Sequence, residues 1–265
     1  MKPVWVVCVK QVPREPVFRR EGEFFQIDRE RTEGILNPHD RIALDLAAEI
    51  RARKGGRIVA LSMGPPRTES ALREALAAGA DEAILLSDPA FAGADTLATA
   101  YTLAAGIRKI GDFSLVLCGA RTTDSDTSQV GPQLAEFLDL PMASQVEKLE
   151  VRKSEVRLER VLDGVRERLA MRVPALVTVL RRKQEPIPLS LRALEQSFAD
   201  RPVSRWGLGD LDIDPARAGW EGSGTRARDY AYWNRSRSCD RFDGKTGEAV
   251  ERILAVLAER NLLGR

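Results

Sequence analysis

Short apolar runs alternate along the first half of the chain with segments whose apolar residues recur every three or four positions. The runs cover residues 4–9, 57–62, 82–86 and 115–118. Runs of this length are typical of strands buried on both faces, and the helical spacing is typical of amphipathic helices. The alternation predicts an α/β fold with a mostly parallel sheet, right-handed crossovers and helices on both faces.

Alternating polar and apolar residues replace this pattern after residue 141. Residues 145–151, 155–162 and 167–172 follow the two-residue period of a strand with one buried face. We expect antiparallel strands that extend or flank the parallel sheet, and another buried strand at residues 175–180. These elements complete a predicted α/β domain over residues 1–198.

The remaining residues, 199–265, form a predicted C-terminal arm. They show little periodicity before an amphipathic helix at 247–257, and they carry several large aromatic residues. A polar, irregular segment has no core of its own, and exposed rings would leave apolar patches. We therefore expect the arm to pack on a partner chain rather than on its own domain, through Trp206, Trp220, Tyr230, Tyr232 and Trp233.

The stretch at residues 114–138 holds the clearest candidate for a site. A buried strand leads into a polar turn at 120–127, and an amphipathic helix follows, which Thr127 or Ser128 is expected to cap. The free N–H groups and the dipole of a helix N-terminus favour an anion such as a phosphate, and open parallel sheets bind ligands where their strands end. The alternative is a turn whose polar residues only cap the helix.

Two further turns belong to the same predicted edge. Asn37 precedes a proline and is expected to be extended, with Asp40 as the N-cap of the next helix. Gly64 follows the second apolar run, where it either lets a ligand approach the backbone or only ends the strand.

Composition narrows the range of functions. The 41 Lys and Arg residues nearly balance the 39 Asp and Glu residues, so binding to nucleic acid or to an anionic membrane is not expected. No apolar run has the length of a transmembrane segment, and the amino end does not match a signal peptide. We expect a cytoplasmic protein.

The few cysteine and histidine residues limit the chemistry of the chain. Its three cysteines show no metal-ligand spacing, and His39 is the single histidine. Neither a zinc site nor a nucleophilic triad is expected, so the sequence predicts no metal ligand and no catalytic residue.

Several short motifs resemble the β subunit of the electron transfer flavoproteins and occur in that family's order. They are VCVKQVP at 7–13, NPHD at 37–40, SMGPP at 62–66, ALREALAAGAD at 71–81, GADT at 93–96, DSDTSQVGP at 124–132, residues 174–179, and Glu185-Pro186. The resemblance implies a Rossmann-like fold of the adenine nucleotide α-hydrolase-like type, with antiparallel additions and a C-terminal arm. It also implies a heterodimer with an α subunit that carries a redox flavin.

The resemblance further implies that residues 1–198 bind an adenine nucleotide. Cys8 and Val9 would lie against the adenine end of the nucleotide, and Asn37 and Met63 would line the pocket. Residues 122–126 would form one wall of the pocket, and residues 127–130 would bind phosphate. The implied cofactor-binding residues are Cys8, Val9, Asn37, Met63, Gly64, Asp95, Thr96, Arg121, Thr122, Asp124, Ser125, Asp126, Thr127, Ser128, Gln129 and Val130.

The identity of the nucleotide depends on the subgroup. Simple members hold a structural AMP and electron-bifurcating members hold a second FAD; the motifs at 92–96 and 126–132 are closer to the bifurcating and nitrogen-fixation-associated group. We expect FAD, with AMP as the alternative, and the small residues Gly64, Gly93 and Ala94 are expected to leave room for the isoalloxazine. The sequence departs from that group at residues 121–123, where Gln-Ala-Ile is usual, and at Ile187, where arginine is usual. Arg121 is a candidate to stabilise a reduced flavin, or is a solvated loop residue.

The segment 181–191 corresponds to the family's partner-docking loop. Glu185, Pro186, Leu189 and Leu191 are the implied docking residues, with Leu189 or Leu191 as the apolar anchor for an acyl-CoA-type or other dehydrogenase. The plainer alternative is that Leu191 begins the buried face of the next helix. Electrons would pass on to a membrane or soluble acceptor.

Two other functions use a similar sheet. A stress-protein-type regulatory protein would bind a nucleotide as a homodimer, but the aromatic tail and Glu185-Pro186 are evidence against it. An ATP-cleaving ligase or sulfurtransferase would need an SGGxDS loop after the first strand, where this chain has Lys10-Gln11-Val12-Pro13.

Overall fold

The computed structural model describes residues 2–15, 17–27, 32–180, 187–228, 241 and 244–263. The chain divides into two compact units, residues 1–229 and residues 230–265. The described strands of the first unit are β1 (Val4–Cys8), β2 (Gln11–Pro13), β3 (Phe18–Glu21), β4 (Phe24–Ile27), β5 (Gly34–Leu36), β6 (Arg57–Met63), β7 (Glu82–Leu86), β8 (Leu115–Gly119), β9 (Met142–Val151), β10 (Glu155–Leu162), β11 (Val165–Arg172), β12 (Ala175–Val179) and β13 (Val203–Trp206).

Helices lie between the strands and also in the second unit. The first unit contains α1 (Pro38–Lys54), α2 (Glu69–Ala77), α3 (Thr96–Ile110), α4 (Val130–Phe137) and α5 (Leu191–Ala199); the second contains α6 (Thr246–Glu259). No helix among the described residues is long and apolar enough to cross a membrane.

Nine strands form one sheet in the order β11-β10-β9-β12-β8-β1-β6-β7-β13. The six strands from β12 to β13 are parallel, β9 pairs parallel with β12, and β10 and β11 are added antiparallel. Strands β2 and β5 form a separate antiparallel pair, and β3 and β4 form a hairpin. The predicted mostly parallel sheet with antiparallel additions is confirmed.

The core has two layers, one on each face of the sheet. Val7, Leu44 and Leu72 pack on the face that carries α1 and α2. Val6 and Leu134 pack on the opposite face, which carries α3 and α4. Neighbouring residues of β1 enter different layers because successive side chains of a strand point to opposite faces. The predicted placement of helices on both faces is therefore confirmed.

Two predicted helix caps are wrong. Helix α1 begins at Pro38 with Asn37 as the N-cap, because proline suits the first helical position, where an N–H has no intrahelical partner. Asp40 therefore lies inside the first turn. Helix α4 begins at Val130 with Gln129 at the N-cap and no side-chain cap, so neither Thr127 nor Ser128 caps it.

Part of the predicted arm folds onto its own domain. Trp206 ends β13, which pairs with β7, and packs against the α3 and α4 layer. Trp220 stacks edge-on to the Phe24 ring with centroids 5.3 Å apart. Both tryptophans therefore have neighbours within their own domain and remain partly exposed. The expectation that the arm packs on a partner chain stays a prediction. Tyr230, Tyr232 and Trp233 lie outside the described residues.

Candidate functional site

The candidate site lies where the two central strands, β1 and β8, end. Their chain connections leave in opposite directions, since β1 leads to β6 on one side while β8 leads to β9 on the other side, beyond β12. Open α/β sheets form their ligand crevice at such a switch point, outside the carboxyl ends of the strands. The polar loop at residues 120–129 starts from this edge.

Asp40 bridges the two strand ends. Its carboxylate accepts hydrogen bonds from the backbone N–H of Lys10 at 2.8 Å and from that of Gly119 at 3.0 Å. A Cβ at Gly119 would collide with the Asp40 carboxylate, so only glycine fits there. Asp40 thus holds both sides of the crevice together from the first turn of α1, a role that the N-cap prediction missed.

Burial gives the Asp40 carboxyl an unusual proton affinity. Desolvation raises its pKa from 3.8 to about 7, while hydrogen bonds from the Asn37 side chain and from the two backbone N–H groups, and the Lys10 charge, act to lower it. The desolvation effect dominates because Asp40 lies below the surface, against the sheet. The group therefore changes charge near neutral pH.

Asn37 presents a buried acceptor at the same place. The residue has no exposed surface, and its Nδ2 donates to the Arg121 backbone oxygen at 3.0 Å. Its Oδ1 has no hydrogen-bond partner among the described residues. An unpaired buried acceptor costs about 1–3 kcal/mol, which a donor on a bound ligand would recover.

An ion pair fixes the polar loop to the end of β1. The Lys10 ammonium contacts both carboxylate oxygens of Asp124, at 2.9 and 2.8 Å, and the Asp124 side chain is fully buried. The same carboxylate also accepts the Ser125 backbone N–H at 2.9 Å. Lys10 was absent from the predicted site residues because its partner is far away in sequence.

The loop adopts an unusual backbone just before α4. Asp126 and Ser128 have φ angles of 48° and 56°, the left-handed region that residues other than glycine adopt at a cost. Left-handed residues within a turn direct successive N–H groups into a concave surface that binds anions. The exposed Thr127 lies between them. This left-handed backbone, which the sequence pattern did not reveal, is of the kind that the predicted anion site would use.

The start of α4 is joined to the start of α3. The Thr96 hydroxyl donates to the Gln129 side chain at 3.0 Å. Because Gln129 makes no capping bond, no side chain caps the first N–H groups of α4 within the described residues. Arg121, at the other end of the loop, lies 3.7 Å from Asp126 with both side chains half exposed. This contact accounts for Arg121 without a ligand.

Both carboxylate oxygens of Asp95 accept hydrogen bonds from the chain itself. One carboxylate oxygen caps α3 by accepting from the N–H groups of Leu97 and Ala98, and the other accepts from the backbone and hydroxyl of Thr225. Burial acts to raise the pKa of Asp95, but these hydrogen bonds outweigh it and lower the pKa. Asp95 therefore ties the 219–225 segment to α3 and has no oxygen left over.

The small residues that were expected to make room for a flavin have other neighbours. A Cβ at Gly64 would collide with the Thr68 hydroxyl, and one at Gly93 would lie 2.9 Å from the Trp220 ring. Atoms of the chain itself therefore lie beside both glycines. The expectation that Gly64, Gly93 and Ala94 leave room for a flavin stays a prediction.

The other predicted lining residues are divided among three strand ends. Cys8, the last residue of β1, and Val9, which follows it, are buried on opposite faces of the sheet, and Met63 is partly buried at the end of β6. The structure thus gathers Cys8, Asn37 and the 120–130 loop around β1 and β8. Met63 and Gly64 lie one strand further along the sheet.

The docking segment is partly described. Glu185 and Pro186 lie outside the described residues, Leu189 is partly buried, and Leu191 is 72% exposed as the first residue of α5. The alternative that Leu191 begins a buried helix face is wrong. Arg41 donates a hydrogen bond to the Ile187 backbone oxygen and so attaches this segment to α1.

The chain is similar to known proteins along most of its length. The model of the electron transfer flavoprotein domain matches residues 25–209. The electron transfer flavoprotein subunit beta of Thermoanaerobacterium thermosaccharolyticum is 38% identical over 97% of this chain and 99% of its own length. The caffeyl-CoA reductase-Etf complex subunit CarD of Acetobacterium woodii is 36% identical over 83% of this chain and 84% of its own. Protein FixA of Bradyrhizobium diazoefficiens is 39% identical over 83% of this chain and 79% of its own length.

Proposed function

The chain belongs to the electron transfer flavoprotein family, and on that basis we propose that it is a β subunit that binds an adenine nucleotide where β1 and β8 end. The observation that carries the proposal is the match to a subunit beta over nearly the whole of both chains. This match favours a subunit of a heterodimer over a stress-protein-type homodimer. Its partner would be an electron transfer flavoprotein α subunit.

The chain's own residues would bind the nucleotide in two places. The unpaired Asn37 Oδ1 is suited to accept an N–H of the base, because it is a buried acceptor without a partner among the described residues. The left-handed turn at Asp126 and Ser128 and the first N–H groups of α4 would bind phosphate oxygens. Binding through backbone groups makes the Thr127 and Ser128 hydroxyls secondary.

Two other residues would keep this arrangement in place. Asp40 joins the backbone of Lys10 and Gly119, so the two strand ends keep a fixed separation. The Lys10 ammonium holds Asp124, so the loop cannot swing away from the sheet without separating a partly buried ion pair. Both residues act by positioning, since neither is required to touch the nucleotide.

The finer proposal is that the nucleotide is FAD rather than AMP. Its support is the resemblance of residues 92–96 and 126–132 to the bifurcating and nitrogen-fixation-associated group, together with the similarity to CarD and FixA. A flavin would supply the transfer of electrons singly or in pairs. With two flavins in the heterodimer, flavin-based electron bifurcation becomes the proposed activity of the complex.

Docking to an electron donor is proposed at the exposed start of α5. Leu191 is the apolar residue offered to a dehydrogenase, because its side chain lies outside the core. The acceptor, membrane-bound or soluble, would be reached through the α subunit.

Co-expression with an α subunit tests the proposal. We expect a heterodimer from which acid releases an adenine nucleotide bound to this chain. A stable homodimer that retains no nucleotide and does not associate with any α subunit would contradict it.

A further inference from the structure

Two cysteines face each other across the central strands. Cys8 ends β1, and Cys118 lies directly opposite it on β8 in the parallel register. Both are free, buried thiols. Both lie in the layer that contains Val116 and Leu134, beneath α3 and α4. The fold therefore places two thiols on directly paired residues of adjacent strands, although 109 residues separate them in the chain.

This pair lies at the boundary between the core and the candidate site. The preceding strand residues, Val7 and Leu117, have no exposed surface, whereas Cys8 and Cys118 keep 7% and 6%. The Asp40 bridge lies immediately beyond the cysteines, because the backbone N–H groups that it binds belong to Lys10 and Gly119. The thiols therefore border the crevice in which the nucleotide is proposed to bind.

The spacing of the strands permits a bond between the sulfur atoms. Neighbouring strands lie about 4.8 Å apart. Disulfides span Cα separations of about 4.4–6.8 Å. The hydrogen bond with Cys8, burial and the nearby Asp40 carboxylate all raise the pKa of the Cys118 thiol, so Cys118 is not the thiol that attacks first. Cys8 would attack, and Cys118 would resolve the intermediate.

We infer that Cys8 and Cys118 form an oxidisable dithiol, a modification site for low-molecular-weight disulfides that a bound nucleotide shields. The Cys8 thiolate attacks one sulfur of the disulfide, forms a mixed disulfide and releases a thiolate, which takes up the proton that Cys8 lost. Cys118 then attacks the Cys8 sulfur and releases the second small thiol. The cysteine pair loses two electrons and two protons, and the small disulfide gains them.

The modification would act on the proposed site. A disulfide here would disturb two strand ends whose separation Asp40 now sets, because a Cα separation of about 4.8 Å lies at the short end of the disulfide range. The oxidised protein should therefore bind nucleotide less tightly. The same short separation strains the bond, so it is easily reduced again. The shielding part of this inference depends on the proposed function, whereas the dithiol itself does not.

The experiment uses the full-length protein with its α partner and oxidised glutathione as the probe. Cys239, which lies outside the described residues, is replaced in every sample by Cys239→Ser. The protein is stripped of nucleotide, divided, and treated with or without excess AMP or FAD, whichever acid extraction identifies. Peptide mass spectrometry then follows the cross-linked Cys8–Cys118 peptides, with Cys8→Ser and Cys118→Ser as matched controls that are first shown to be folded by circular dichroism.

We expect the cross-link in the stripped protein, its loss on reduction, and cross-linking slowed about tenfold when the nucleotide is at ten times its dissociation constant. The Cys118→Ser control should stop at the mixed disulfide on Cys8. A stripped protein that rebinds nucleotide but forms no cross-link would overturn the dithiol and leave the proposed function intact. Equal rates with and without bound nucleotide would overturn the shielding. A cross-link in a protein that binds no nucleotide would instead contradict the proposed function and leave the dithiol standing.

Discussion

Replacing Asp40 with asparagine should change how stability depends on pH. The folded pKa is about 7 and the ordinary value is 3.8, so the folded protein holds a proton that the unfolded chain has already lost between these values. The contribution of the Asp40 carboxyl to the free energy of unfolding is therefore greatest below pH 4 and falls as the pH rises to 7. Each pH unit in this window is worth about 1.4 kcal/mol, so the loss between pH 5 and pH 8 is about 3 kcal/mol.

Asp40→Asn removes this dependence and adds a fixed cost. The amide keeps one acceptor but turns its NH2 toward a backbone N–H of Lys10 or Gly119, which leaves a buried donor unpaired at about 1–3 kcal/mol. The difference in unfolding free energy between the wild type and the variant should therefore be about 3 kcal/mol larger at pH 5 than at pH 8.

Urea unfolding at several pH values, at one fixed protein and nucleotide concentration, measures this difference. Asp112→Asn, at an exposed carboxylate, is the matched control and should track the wild type at every pH. A stability difference between the wild type and Asp40→Asn that stays constant with pH, or grows as pH rises, would refute the reasoning.

Three further substitutions test the loop and the docking segment. Ser128→Val should weaken nucleotide binding at least about tenfold, because a β-branched residue resists φ near 56°, whereas Ser128→Gly should retain it; equal affinities by calorimetry would contradict the backbone anion site. Lys10→Met should destabilise the protein by about 1–3 kcal/mol, since it removes the ammonium group that pairs with the buried Asp124 carboxylate. In a double-mutant cycle, adding Asp124→Asn should recover part of that loss, and independent effects of the two substitutions would exclude the coupling. Leu191→Ala should slow electron transfer from the dehydrogenase without changing nucleotide content, while Phe198→Ala, also exposed on α5, should not; equal losses would show that Leu191 is not the anchor.

The local sequence pattern was sufficient for most of the fold. Strand β8 was predictable because a short apolar run ends at a glycine, and the helices followed from their spacing. Strand β13 was missed because Val203–Trp206 contains a serine and an arginine, and only its pairing with β7 defines it as a strand. A strand at the edge of a sheet needs no continuous apolar run, so its residues give little signal.

The site was less predictable because its contacts are distant in sequence. A polar loop before a helix drew attention to residues 120–130, and the structure places this loop at the carboxyl end of β8. By contrast, Asp40 resembled an N-cap by type and position, and only the fold brings the Gly119 N–H to its carboxylate. The Lys10–Asp124 pair has the same origin. The left-handed backbone of Asp126 and Ser128 was not predictable from the sequence. A glycine would have indicated such a conformation, whereas aspartate and serine do not.

The measurement that tests the central claim most directly is the nucleotide content of the heterodimer. Acid extraction followed by chromatography should release two FAD molecules per heterodimer, with one lost when Ser128→Val disrupts the anion site of this chain. One FAD and one AMP would contradict the two-flavin proposal and preserve the nucleotide site. One FAD with no adenine nucleotide assignable to this chain would contradict the account itself.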